Sequence, residues 1–167
     1  MQLLELIPVL RDLPPEVTVA LIATLPVFEL RGAVPVGMLV FGLGAVETFA
    51  AAVVGNMLPI PLLVWFLDPA QRWLSEHSRM FRRFFAWLFA RTRAKHGPAY
   101  ERFRDLALVL FVGVPLPGTG GWAGAAAAFV FGVDKLRAVL LILAGVMLAG
   151  IAVTLLVATG RLAVTGW

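Results

Sequence analysis

The sequence predicts an all-α integral membrane protein with two inverted repeats, each a re-entrant helical hairpin plus a full transmembrane helix, joined by a basic amphipathic interfacial helix. Its residues are 60% hydrophobic and 14% charged, whereas soluble domains average about 45–50% apolar and about 25% charged residues. Two apolar stretches are interrupted by elbows of proline, glycine and polar residues, and the segments that follow the elbows resemble each other. The length of 167 residues fits a single membrane domain.

The first repeat, residues 17–67, begins with two apolar pieces, Val17–Phe28 and Ala33–Gly42. Each is shorter than the roughly 20 helical residues that cross a hydrocarbon core. The elbow between them carries Glu29 and Arg31, and such charges cost about 2.5–3.5 kcal/mol each at membrane depth. Because irregular backbone is tolerated there only inside protein or beside a wet cavity, we expect a re-entrant hairpin.

The first full span is predicted at Val46–Leu67, which is long enough to cross the bilayer. Pro59 and Pro61 are expected to kink its second half and to free backbone carbonyls. Asn56 lies just before this kink. An amide at this depth either hydrogen-bonds a neighbouring helix or contacts a substrate or coupling ion.

The segment between the repeats, residues 68–97, is basic and aromatic. Asp68-Pro69 is a typical helix start, so we expect an amphipathic helix over Asp68–Lys95 that lies in the membrane interface. It serves either as a cytoplasmic anchor or as a site for lipid headgroups. The candidate headgroup ligands are Arg72, Arg79, Arg82 and Arg83. Clustering of the basic residues between membrane segments indicates the positive-inside bias and argues against nucleic acid as a partner.

The second repeat, residues 105–160, has the same plan. Asp105–Val114 leads into a proline- and glycine-rich elbow, Ala123–Phe131 resumes a helix, and Leu136–Thr159 is the second span. The elbow residues that we consider candidate substrate contacts are Pro115, Pro117, Gly118, Thr119, Gly120 and Trp122. The small residues of Ala123–Ala128 would allow a second backbone to approach closely, so a homodimer is expected.

The repeat is visible as identities at one constant offset. These are Phe41-Gly42 with Phe131-Gly132, Gly55 with Gly145, and Met57-Leu58 with Met147-Leu148. A hairpin returns to the side that it entered, so the second repeat would be inverted, as in many secondary transporters. The rival topology has four straight spans. Charge counting gives the same bias for both, whereas the helix-breaking residues of the second elbow favour hairpins.

Enzyme chemistry is not expected. The chain has no cysteine, and we find no metal-ligand spacing, phosphate-binding loop or nucleophile motif. No cofactor is therefore predicted.

The two elbows resemble a known family. The segments ELRGAVP, at Glu29–Pro35, and PLPGTGGW, at Pro115–Trp122, look like the putative small multi-drug export protein family, which is similar to the DedA (VTT-domain) superfamily. This resemblance implies a transporter-like fold in the cell (inner) membrane of a bacterium or archaeon. In DedA relatives it implies movement of lipid-linked phosphates such as undecaprenyl phosphate, with proton coupling. Glu29 and Arg31 are the ionisable elbow residues that carry over.

Three functions stay open at this stage. In the first, a flippase or ion-coupled transporter, Arg31 binds an anionic headgroup and Glu29 accepts a proton. Free backbone N–H groups at Gly32–Val34 and Gly118–Gly121 assist, and Pro35 shapes the first elbow. The alternative for the pair is a structural tie. In the second, a multidrug exporter, Glu29 is the counter-ion of a cationic hydrophobic compound that stacks on Trp122, Phe28 or Phe129. The third is a non-transporting membrane scaffold.

Overall fold

The computed structural model describes residues 13–92, 98–116 and 118–165, and this part of the chain is helical without strands. The chain forms two compact units, Met1–Leu58 with Val146–Trp167, and Pro59–Gly145. A π-helix covers Val36–Val40. The α-helices are α1 (Pro15–Thr24), α2 (Glu29–Pro35), α3 (Ala45–Met57), α4 (Pro59–His77), α5 (Arg79–Thr92), α6 (Pro98–Gly113), α7 (Gly121–Val130) and α8 (Lys135–Thr165).

Both predicted interruptions are present as breaks between short helices. α1 ends at Thr24, and Leu25 is extended with ψ 131°, as expected for a residue that precedes a proline. In the second half, α6 ends at Gly113 and α7 begins at Gly121. The proline and glycine residues therefore set the helix ends as the sequence predicts.

The first unit depends on close backbone contact between α1 and α3. A Cβ atom on Gly55 would collide with the carbonyl oxygen of Ala20. Val19 and Ala23 of α1 and Ala52 of α3 are fully buried in the same unit. Small residues at such a crossing let dispersion contacts form between backbones, which is how helices associate in lipid.

The π-helix packs against the same helices. Phe41 donates its N–H to the carbonyl of Val36 at 3.1 Å, five residues back. A Cβ atom on Gly37 would lie 2.5 Å from Cγ2 of Thr48 and 2.9 Å from Cγ2 of Val19. π-helical turns are rare in proteins, and those that occur are often found at functional sites. This element therefore indicates that the first unit is a candidate location for a functional site.

In the second unit, ion pairs join the start of α6 to the start of α8. Arg137 of α8 binds Asp105, and its Nη1 is 3.4 Å from Oε2 of Glu101. Lys135 Nζ is 2.8 Å from Oδ2 of Asp68 in α4. α6 and α7 thus form a helical hairpin, because the residues that follow α7 lie beside the residues that begin α6.

Small residues close the core of the second unit. A Cβ atom on Gly124 would collide with Cγ2 of Val112, and one on Gly145 would lie 2.6 Å from Cβ of Val112. Ala125 and Ala128 are also buried. The small face that suggested a dimer is therefore largely used inside the unit, and the homodimer stays a prediction without that support.

The basic segment differs from the prediction at its start. No helix begins at Asp68, because α4 continues through Pro69 to His77 and the break falls at Ser78. The helix that contains Asp68 begins instead at Pro59, the first position of α4, where the missing N–H costs no hydrogen bond. Residues 93–97, which include Lys95, lie outside the described residues.

α5 is amphipathic, as expected. Phe85 and Phe89 pack edge-on against Phe129 of α7, with ring centroids 6.5 and 5.5 Å apart. Elsewhere on α5, Met80 and Trp87 are more than half exposed. Some of its large apolar side chains thus pack on protein and others are open, which suits a helix in the membrane interface.

Two helical stretches in the described part of the chain are long and apolar enough to cross a membrane, Ala45–His77 and Lys135–Gly160. They contain the predicted spans Val46–Leu67 and Leu136–Thr159. α1 and α7 are shorter apolar helices of ten residues each.

The backbone contact at Gly55 gives a stability prediction. Gly55→Ala should destabilise the protein by about 1–3 kcal/mol, because the added methyl group forces α1 and α3 apart. Gly160→Ala is the matched control: it is also in a helix, nothing lies within 4 Å of its added Cβ, and alanine favours a helix by up to about 1 kcal/mol. Thermal unfolding in detergent measures both, and equal melting temperatures would contradict the packing described here.

Candidate functional site

Glu29 has a strained backbone and a buried side chain. Its φ is +47°, in the left-handed region that costs a non-glycine residue about 1–2 kcal/mol. The residue is only 5% exposed, and its N–H donates to the carbonyl of Leu25 at 2.9 Å. A fold that holds a carboxylate in such a conformation does so against its local preference, which is typical of functional positions.

Arg31 forms an ion pair with Glu29. Nη2 of Arg31 lies 3.9 Å from Oε2 of Glu29, and the two side chains are 22% and 7% exposed. Residues two apart do not face each other on a regular helix. Both lie in the first turn of α2, so our expectation of an unwound segment here is wrong. The left-handed backbone of Glu29 turns its side chain toward Arg31 instead.

Gly32 and Pro35 support this helix rather than offering ligand groups. The N–H of Gly32 donates to the carbonyl of Phe28 at 2.9 Å, so it is not the free donor that we expected. A Cβ atom on Gly32 would lie 3.0 Å from the Phe28 side chain. Pro35 is the last residue of α2 and directly precedes the π-helix.

Within the described part of the chain, Asn56 lacks the interhelical hydrogen bond that we expected as one possibility. It is fully buried, and neither its Oδ1 nor its Nδ2 has a hydrogen-bond partner among the described residues. The hydroxyls of Thr48 and Thr154 are in the same condition. Each unmet polar group costs about 1–3 kcal/mol of desolvation. All three belong to the first unit, together with Glu29 and Arg31.

The second elbow is a glycine-dependent turn. Gly118 and Gly120 have φ of +83° and +129°, which glycine adopts without steric cost. The Thr119 hydroxyl donates toward the carbonyls of Val114 and Leu116, at 2.7 and 2.9 Å. Its position thus has a structural explanation, since it satisfies carbonyls at the end of α6.

The other candidate residues have simpler positions. Pro115 is exposed and Trp122 is half-buried, whereas Pro117 lies outside the described residues. The four arginines suggested for lipid headgroups are exposed on α4 and α5; they are Arg72, Arg79, Arg82 and Arg83. The second elbow and these arginines belong to the second unit.

Sequence reasoning missed the charge cluster around Asp105. This buried carboxylate accepts from Nε and Nη2 of Arg104, both 3.3 Å from Oδ1, and pairs with Arg137. Glu101 completes a cluster with no net charge. One feature of the sequence could have indicated this cluster: Asp105 and Arg137 lie at the ends of two apolar segments. No group of metal-ligating residues occurs in the described ranges.

The Glu29–Arg31 pair gives a second stability prediction. Arg31→Gln should destabilise the protein by about 1–3 kcal/mol, since Glu29 then loses its cation while the partial exposure of Arg31 moderates the cost. Adding Glu29→Gln should recover at least half of the loss. Melting curves in detergent measure this, with exposed Arg72→Gln as the control. Additive losses in the double variant would show that the two charges are not coupled.

Comparison with known protein families gives a match over most of the chain. The sequence profile of the family described as "Putative small multi-drug export protein" matches residues 29–152, which include both elbows. No curated protein and no solved structure matches the chain. The match covers most of the chain, and two of its helical stretches are apolar enough to span a bilayer. The chain therefore belongs to the small multi-drug export family and is a membrane protein of the transporter type.

Proposed function

We propose that this protein is a multi-pass transporter of the cell inner membrane, similar to DedA proteins, that moves an amphiphilic anion across the bilayer. The substrate class is a polyprenyl phosphate, such as undecaprenyl phosphate, or a phospholipid. The observation that carries the proposal is the ion pair of buried Glu29 with partly exposed Arg31, formed at a left-handed backbone position. Charges so placed in a membrane protein generally mark a substrate or proton pathway.

The pair can couple an anion to a proton. Arg31 has the exposure to reach a ligand, whereas Glu29 is nearly buried. A phosphate that binds the Arg31 guanidinium competes with the Glu29 carboxylate for the same positive charge. A buried carboxylate that loses its paired cation has a large free-energy cost if it stays ionised. Glu29 therefore takes up a proton as the phosphate binds and releases it when the phosphate leaves.

The unmet polar groups of the first unit support a polar ligand there. Thr48, Ala52 and Asn56 follow one another at four-residue spacing along α3, so they share one face of that helix, and all three are fully buried. Hydroxyl and amide groups without protein partners can contact a polar headgroup or its water. Asn56 and Thr48 are accordingly assigned to substrate contact.

The ion pairs of the second unit support a re-entrant hairpin. If α6 and α7 crossed the bilayer as one span, Lys135 would lie a hydrocarbon thickness, about 30 Å, from Asp68. The 2.8 Å pair between these residues, and the binding of Arg137 to Glu101, favour a segment that returns to its starting side. With the similar first half, this gives two inverted repeats, and the positive-inside bias puts the basic segment in the cytoplasm.

A multidrug exporter of cationic compounds is the main alternative. In that case Glu29 binds the cation directly, and Phe28 of the same unit, which packs on Gly32, offers an aromatic face. Phe129 is engaged by two phenylalanine rings. A scaffold that does not transport is the other alternative. One flux experiment separates all three.

The test is pH-dependent flux in proteoliposomes, with a fluorescent polyprenyl phosphate and a cationic dye as parallel substrates. The wild type should move the anion with a rate that depends on pH. Glu29→Gln should lose that flux or its pH dependence, because the side chain can no longer take up a proton. Glu16→Gln is the matched control, since Glu16 is an exposed carboxylate in the same unit.

Each other result has a definite meaning. Dye flux without polyprenyl phosphate flux would establish the cation exporter. Absence of both fluxes in a correctly folded wild type would contradict transport of either probe and would favour the scaffold. Wild-type flux with a wild-type pH response in Glu29→Gln would contradict the coupling role.

A further inference from the structure

The second unit contains a cavity of 310 Å³ between α4, α7 and the start of α8. Sites for small ligands have volumes of about 300–1,000 Å³. The apolar wall of this cavity includes Val64, Ala125, Ala128 and Phe129. Phe129 is held in place by the edge-on rings of α5. This space has the size and the wall of a binding site, and it contains neither Glu29 nor Arg31.

Three charged side chains also line the cavity: Asp68, Asp134 and Lys135. Lys135 and Asp68 form an ion pair at 2.8 Å. Asp134 is exposed and has no ion pair within residues 13–92, 98–116 and 118–165. The lining thus carries a carboxylate without a cation beside an ammonium group that has three donors, of which Asp68 uses one.

The cavity lies where apolar segments meet charged residues. The apolar run of α4 ends at Leu67, directly before Asp68, and the apolar run of α8 begins at Leu136, directly after Lys135. In a membrane protein this change of polarity marks the level of the lipid headgroups. The apolar wall therefore suits an alkyl or glycerol portion, and the charged groups suit a headgroup.

We propose that this cavity binds the phosphoethanolamine headgroup of a membrane aminophospholipid. The carboxylate of Asp134 accepts from the lipid ammonium group, and the remaining donors of Lys135 bind a phosphate oxygen. Such charge-assisted hydrogen bonds are stronger than neutral ones. The site is distinct from the proposed Glu29–Arg31 site, which belongs to the first unit.

Charge complementarity selects this occupant over others. An anionic phospholipid would satisfy Lys135 but place its charge beside Asp134, which has no ion pair among the described residues. A simple organic cation would satisfy Asp134 but leave the Lys135 donors unmatched. A zwitterionic headgroup with a primary ammonium group matches both, and its ammonium protons supply the hydrogen bonds that Asp134 can accept.

The test is lipid titration of the detergent-solubilised protein, followed by native mass spectrometry. Phosphatidylethanolamine should bind Asp134→Asn about tenfold more weakly than the wild type, as expected for loss of a hydrogen bond to a charged group. Lys135→Gln should weaken the same lipid to a similar extent. Glu76→Gln is the control, because this exposed carboxylate of α4 is not part of the cavity.

Two further titrants make the result specific. Phosphatidylglycerol should bind Asp134→Asn at least as tightly as it binds the wild type, because it lacks an ammonium group and the substitution removes a negative charge beside its own. Titration with dodecyltrimethylammonium tests whether the cavity binds a cation that carries no phosphate group. Wild-type binding of phosphatidylethanolamine by Asp134→Asn or Lys135→Gln would overturn the proposal. Loss of dodecyltrimethylammonium binding alone in Asp134→Asn would also overturn it and would identify an amphiphilic cation as the occupant.

Discussion

This structure depends on one constraint: polar groups need hydrogen-bond or ion-pair partners. Hydrocarbon offers no hydrogen bonds, so charges and helix ends at membrane depth must be satisfied by the protein. In the second unit, charged residues lie at the ends of the apolar segments and are paired: Arg137 with Glu101 and Asp105, and Lys135 with Asp68. They also hold the residues that follow α7 beside the first turns of α6 and beside α4. The same groups therefore provide charge compensation and determine the course of the chain.

The first unit meets the same constraint less completely. Glu29 has a cation nearby, but its backbone is held at φ +47°, and Asn56 is fully buried without a hydrogen-bond partner among the described residues. Strain and unmet polar groups lower stability, so their occurrence in one unit favours a functional explanation over a structural one. In our account, this unit binds the polar part of the substrate and exchanges a proton through Glu29.

The sequence predicted the helix breaks because their causes are local. Proline restricts the residue before it, which ends α1 ahead of Pro26, and glycine supplies the left-handed turn at Gly118 and Gly120. The prediction of a separate helix that begins at Asp68 was wrong. A proline near a possible helix start is also a local signal, but it does not tell whether a helix upstream continues through it. Ion pairs between distant positions, such as Lys135 with Asp68, were not predictable, since they depend on how α4 and α8 pack. Likewise, the sequence showed that Glu29 and Arg31 are unusual, but not that a left-handed residue joins them within one helix.

The central claim is that α6 and α7 return to the side of the membrane where they begin. Single cysteines at Glu16, Ser78 and Asp134 test it cleanly, because the chain has no cysteine of its own. Labelling with a membrane-impermeant maleimide in intact cells should modify the cysteine at position 16, whereas those at 78 and 134 should react only after the membrane is opened. Labelling of position 134 from outside, with position 16 protected, would contradict the account and establish four straight spans.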